Sequence, residues 1–389
     1  MAVTPRPPLK TVLGAPSWTF ASDCVEASLT RDGGHLAPVR FRTARGVIQP
    51  FAIAPWAGEK LASDTVPVLK PLRGDFFCAP FGAGEKNWRG EKHPVHGETA
   101  TRPWKFVAKN STPAGVEFVA RMQTRVRAGE VTKRIRLRHG ETNLYCRHEL
   151  TGLSGPLNLG HHAMLAFPEA NGPGQVMLSP WRKGHVCPHP FESPAAGGYS
   201  SLKTGAAFRN LRNVPLASGG TTDLTRYPAR EGFDDLVMVS SSARPGQLAW
   251  TTVTFPEAGW LWFSIKDPQT LASTVLWHSN GGRHYPPWSS RHRRVLGLEE
   301  VTSYFHLGLP ASFAPNPLSK AGIPTVLHLR RNRVTTINYI MGVTVLPRGF
   351  DRLKSIHLSG NHLIATAESG AVARHPVDLS FVRPADAAA

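Results

Sequence analysis

The chain has 389 residues, 41% of them hydrophobic and 19% charged, which excludes wholesale disorder and leaves enough chain for a large buried core. Its 45 Lys and Arg against 27 Asp and Glu give a net charge of +18. The basic residues are scattered along alternating segments, and their longest cluster is "SRHRRV" at 290–295, so no specific nucleic-acid partner is expected.

Cys24, Cys78, Cys146 and Cys187 lie far apart with no CxxC pair, which fits neither a zinc framework nor a dense disulfide scaffold. Reduced, buried thiols are expected, as suits the cytoplasm. Prolines interrupt residues 1–17, where a signal peptide needs an apolar run, and this segment reads as an N-terminal tail. No window approaches the ~18 uninterrupted apolar residues of a membrane span, so no membrane association is expected.

With 36 Gly and 34 Pro, turn formers recur too often for long helices. Short alternating runs fill the spaces between them. In chain order, "GVEFVARMQTRV" (115–126), "EVTKRIRLRHG" (130–140) and "TNLYCRHELTGL" (142–153) read as successive antiparallel strands. Within the second, Val131, Ile135 and Leu137 share one parity and Arg134, Arg136 and Arg138 the other, the pattern of a sheet with one face buried. "NLGHHAMLAFP" (158–168) is an apolar strand carrying two adjacent histidines, which alternation sends to opposite faces. "GQLAWTTVTF", "GWLWFSIK" and, near the C-terminus, "TTINYIMGVTVLP", "LKSIHLSG", "HLIATAESG" and "PVDLSFV" continue the series. The expectation is an all-β sandwich in one domain over 18–383, with 384–389 a C-terminal tail.

Besides "NLGHHAMLAFP", three segments place chemically capable groups among Gly, Pro and aromatic residues. "PLRGDFFCAPFG" (71–82) holds Arg73, and "EKHPVHGE" (91–98) holds His93 and His96. The segment 277–308 is dense in Trp, His and Arg and carries Glu299 and Glu300. Alternation turns one of these two carboxylates inward, and an isolated buried charge is costly without a partner or a task. No HExxH, GxSxG or phosphate-cradling Gly-rich loop occurs, so neither a metal nor a cofactor is expected.

Taken in order, Arg73, His96-Gly97, His162 in a Gly-His-His-apolar strand and Glu299 in "LGLEEV" resemble the aldose 1-epimerase (galactose mutarotase-like) superfamily. The tail "NPLSKAGIPTVLHL" with "INYIMGVTVLPRGFDRLKSI" looks like its closing strands. The resemblance runs from about residue 35 to 383. It implies a β-supersandwich of two large antiparallel sheets and a site on the concave face, with Glu299 as base and His162 as acid. It further implies that His96 is a second site histidine and that Arg73 orients the ligand. His161 is the alternative to His162 if the register is off by one. For the aspartate that contacts sugar hydroxyls, the sequence offers Asp234 and Asp235, of which Asp235 is carried forward. Trp88, Trp277 and Trp288 are candidates for stacking on a sugar face. The function implied is acid–base ring opening and closure at an anomeric carbon, by a monomer or homodimer.

Other readings stay open at this point. The same scaffold can bind a carbohydrate without turnover. Arg283, with Arg291, Arg293 and Arg294, suits a phosphorylated or acidic sugar, as in a phosphosugar mutarotase. The histidine pairs His93/His96 and His185/His189 keep a metal-dependent sugar isomerase in view.

Overall fold

A computed structural model describes residues 7–84 and 87–383. Residues 384–389, expected as a tail, lie outside the described residues. The N-terminal expectation needs correcting. Lys10–Val12 and Ala15–Ala21 are strands, with Ser17 and Trp18 buried, so ordered structure begins well inside the segment read as a tail. Proline density misled there, because Pro16 stands near the start of a strand, opposite Thr11, where its carbonyl still accepts from the Arg31 N–H at 2.7 Å.

The architecture is the expected all-β sandwich. A nine-stranded antiparallel sheet includes Asn143–Thr151, Gly129–Arg138 and Gly115–Thr124, close to the three strands expected from the sequence. Facing it is an eight-stranded sheet containing Phe233–Ser241, Ser273–Asn280 and Val295–Thr302, with the short strands Leu159–His161 and Ala163–Ala166. A five-stranded N-terminal sheet ending at Ile48 adds Trp18, Phe20, Leu29, Val39 and Phe41 to the core shared by the two large sheets. A three-stranded C-terminal sheet, Leu353–Ser359, His362–Ala367 and Val372–Pro376, covers the outer face of the nine-stranded sheet through Leu353, Leu363 and Ala365 against Phe263 and Ile340.

Strand alternation divides the eight-stranded sheet cleanly. In Val295–Thr302, Leu296 and Leu298 enter the inter-sheet core, whereas Val295 and Val301 pack on the opposite face. In Ser273–Asn280, Leu276 faces the core and Val275 and Trp277 face away from it. That second face, roofed by loops, forms the candidate site. "NLGHHAMLAFP" is not one unbroken strand: pairing stops at His161 and resumes at Ala163, while the His162 N–H bonds Phe76 O at 2.9 Å. No helix among the described residues is long and apolar enough to cross a membrane.

Candidate active site

A cavity of about 760 Å³ opens on the roofed face, lined among others by His96, His162, Trp277, Arg283, Glu299 and His306. The adjacent pairs "HH" and "EE" show how the sheet sorts its polar groups. His161 points between the sheets, where its Nδ1 bonds Asp75 Oδ2 at 2.8 Å and its ring packs against Tyr339 and His148. His162 turns to the cavity, with Nε2 3.3 Å from Glu299 Oε1. Glu300 also points between the sheets, paired with Lys266 and accepting hydrogen bonds from Thr251, Ser264 and Thr274. Its neighbour Glu299 has no such escort. Burial pushes the Glu299 carboxyl up to about 8 against the opposing pull of Arg283, and burial lowers the His162 imidazole to about 3. Between those limits the pair carries one proton.

Two glycines make room for this arrangement. A Cβ on Gly297 would lie 2.8 Å from Glu299 Oε1 and 3.1 Å from Trp277 Cβ, so the "LGLEEV" glycine lets both side chains occupy one face. In the His-Gly turn, His96 adopts φ 59° and Gly97 φ 77°, and a Cβ on Gly97 would meet Ala79 O at 2.3 Å. The left-handed His96 backbone directs its ring to within 5.0 Å of the His162 ring, between Phe76 and Phe81. The Gly82 N–H donates to His96 Nδ1 at 3.3 Å, and Cys78 Sγ lies 3.4 Å from the same nitrogen. Burial holds His96 well below the usual imidazole range, so it is neutral and its proton sits on Nε2.

Trp277 and Arg283 form the adjoining wall. The Trp277 ring stacks on His292, and its Nε1–H donates to Asp234 Oδ2 at 3.1 Å. The Arg283 guanidinium lies over Trp288 at 4.4 Å and over Trp277 at 5.1 Å. Its Nε donates to Glu192 Oε1 at 2.6 Å, and the same nitrogen lies 3.6 Å from Asp234 Oδ2.

Three sequence candidates are not brought to the cavity. Arg73 is buried elsewhere: Nη1 and Nη2 donate to the carbonyls of Val12 and Leu13, and Nε to that of Pro71. It ties down the N-terminal hairpin and takes no part in the cavity lining. Asp235 has the wrong parity, since Leu236 is the residue of its strand that lines the cavity. Its carboxylate accepts from Ser201, Leu202 and Arg230. Asp234 is the aspartate behind the wall. Trp88 packs against Phe313 and beneath the guanidinium groups of Arg89 and Arg127, outside the lining. Of the histidine pairs, His93 is taken by Glu91 at 2.9 Å, and among the described residues no group of three or more His, Cys, Asp or Glu is placed to hold a metal ion.

Sequence reasoning missed Phe76, Glu192 and His306. His306 follows Glu299 by seven residues in the His-rich segment already singled out, which was its only signal. Glu192, in a proline-bounded loop, carried none.

No family model matches the sequence, and no curated protein matches it either. Solved structures do. A galactose mutarotase-like protein from Clostridium acetobutylicum superposes with a TM-score of 0.55 over 85% of this chain and 96% of its own, at 13% identity. The chain has the galactose mutarotase-like fold. The Slr1438 protein from Synechocystis sp. PCC 6803 gives a TM-score of 0.55 at 14% identity, covering 89% of this chain and all, 100%, of that one. The galactose mutarotase related enzyme from Lactobacillus acidophilus gives 0.53 at 10% identity, covering 84% and 97%.

Proposed function

We propose that the protein is an aldose 1-epimerase-like enzyme that interconverts sugar anomers by acid–base catalysis. The observation that carries this reading is the buried contact of 3.3 Å between Glu299 and His162 on the floor of a roofed cavity. A protein that only bound sugars would have no use for a carboxyl and an imidazole sharing one proton away from water.

The chemistry balances with these two groups alone. Glu299, as carboxylate, takes the proton from the anomeric hydroxyl. The O–H electron pair becomes the second bond of an aldehyde as the bond from the anomeric carbon to the ring oxygen breaks. His162, as imidazolium, protonates that oxygen. Rotation about the bond between the first two carbons presents the other carbonyl face, and the reverse transfers close the ring. The pair needs one proton in total, placed on Glu299 at rest or on His162 when the sugar arrives. His96 Nε2–H and the terminal nitrogens of Arg283 supply donors for sugar oxygens, and the Trp277 ring offers an apolar face.

Polarimetry on freshly dissolved α-anomers of a panel of aldoses tests the reading. Optical rotation should reach equilibrium faster with purified protein than in buffer for at least one of them. Sugar binding with no acceleration anywhere in the panel would instead identify a binding protein on this fold.

A further inference from the structure

The polar groups just described occupy only the floor of the cavity. Above it, the wall is made by two stretches outside the large sheets, residues 59–72 and 285–291. Leu61, Val68, Leu69 and Leu72 on one side and Pro287 and Trp288 on the other form its apolar part, with polar groups such as Asp64, Thr65 and Ser289 among them. The salt bridge between Glu59 and Arg291, 2.6 Å long, ties the two sides together at the mouth. A cavity of 760 Å³ lies toward the upper end of the ~300–1,000 Å³ typical of small-molecule sites, more than one pyranose requires. Apolar side chains outnumber the uncharged polar ones of this wall, Thr65, Tyr285 and Ser289, which favours an apolar occupant over a second sugar ring.

The charges narrow the choice further. The lining cations are Lys60, Arg283 and Arg291. Arg291 is held by Glu59 through both terminal nitrogens. Arg283 faces two carboxyl groups, Glu192 and Asp234. Lys60 is exposed and shares the mouth with Asp64. A phosphate or uronate would meet no surplus of positive charge, although the chain as a whole carries +18.

From this geometry we infer that the substrate is an uncharged reducing sugar bearing an apolar acyl, alkyl or aryl group on a carbon remote from the anomeric centre. The sugar ring sits on the floor, where the terminal nitrogens of Arg283 meet neutral oxygens, and the substituent fills the chamber between residues 59–72 and 285–291. The inference rests on the anomerase reading only for the orientation of the ring.

Calorimetric titration with D-glucose, D-galactose, their 6-O-acetyl, 6-O-butanoyl and 6-O-hexanoyl esters, and D-glucose 6-phosphate tests it. Affinity should climb with acyl length by about fourfold per buried methylene until the chamber is full, making a hexanoyl ester at least tenfold tighter than its parent sugar. Leu61→Asp, with folding verified by thermal melting, should remove at least tenfold from hexanoyl-ester affinity. Equal affinity for parents and esters, or tighter binding of the 6-phosphate than of the esters, overturns the inference. Anomer exchange measured on the same ligands reads the other claim. An ester that binds tightly yet is not anomerised faster contradicts the enzymatic reading and leaves the ligand class standing, whereas binding of none of these ligands contradicts both.

Discussion

The Glu299 carboxyl is held in an environment that favours its neutral form, and this fixes how the protein should respond to pH. Its unfolded value is about 4.5 and its folded value about 8. The folded state therefore binds the extra proton, and the resulting stability is complete below about 4.5 and lost as pH rises through about 8. Glu299→Gln removes this dependence. The variant should melt at the wild-type temperature near pH 4.5 and increasingly above it toward pH 8, by the equivalent of about 3–5 kcal/mol in chemical denaturation. Activity follows the same proton. As pH rises through about 8 the pair loses it, leaving a carboxylate base with no imidazolium acid, so kcat/KM should fall on the alkaline side. An alkaline limb that rises would assign the acid role to a group other than His162.

At the level of elements, parity explains most of what the sequence revealed. Period-two alternation is local information, so it separates His161 from His162 and Glu299 from Glu300 without any knowledge of the partner sheet. What meets those side chains is not local. The escort of Glu300 by Lys266, Thr251 and Ser264 depends on the other large sheet. Glu300→Gln should therefore destabilise the protein by about 3–5 kcal/mol in denaturant titration, because it strands a buried lysine, whereas Glu300→Leu combined with Lys266→Met should cost far less. Arg73 shows the opposite failure. Its residue type and place in the chain pointed to a ligand, but the carbonyls that claim it belong to a hairpin some 60 residues earlier. That hairpin was invisible beneath prolines. Arg73→Met should lower stability by about 2–3 kcal/mol through the loss of charged hydrogen bonds, with KM for sugar unchanged in protein that remains folded. Asp235 failed by one residue of register, the smallest error that moves a side chain to the other face.

Across the whole molecule, the basic excess is spread over outer faces and does not converge on the cavity. The outer parity of the nine-stranded sheet carries Arg134 and Arg136 in cross-strand ion pairs with Glu117 and Glu149, and Arg147, whose Nε donates to Asn338 Oδ1 at 2.9 Å. At the cavity each arginine is matched by a carboxylate. Steering of an uncharged sugar by the +18 field should consequently be negligible, and kcat/KM should change less than twofold between ~50 and 500 mM salt. A steep fall with salt would indicate an anionic substrate. The fold was legible because alternation and turn residues recur along the entire chain. The cavity wall was not, since residues 59–72 form no sheet strand and their role depends on loops more than 200 residues away.

The central claim is that Glu299 and His162 act as one proton-transferring pair. It is tested most directly by anomer exchange rates, measured by NMR at saturating sugar for wild type, Glu299→Gln and His162→Asn. Each single variant should lose about 10²–10⁴-fold in rate while still binding the sugar, and the double variant should lose little more than either. Rates equal to wild type in folded, sugar-binding variants would contradict the account.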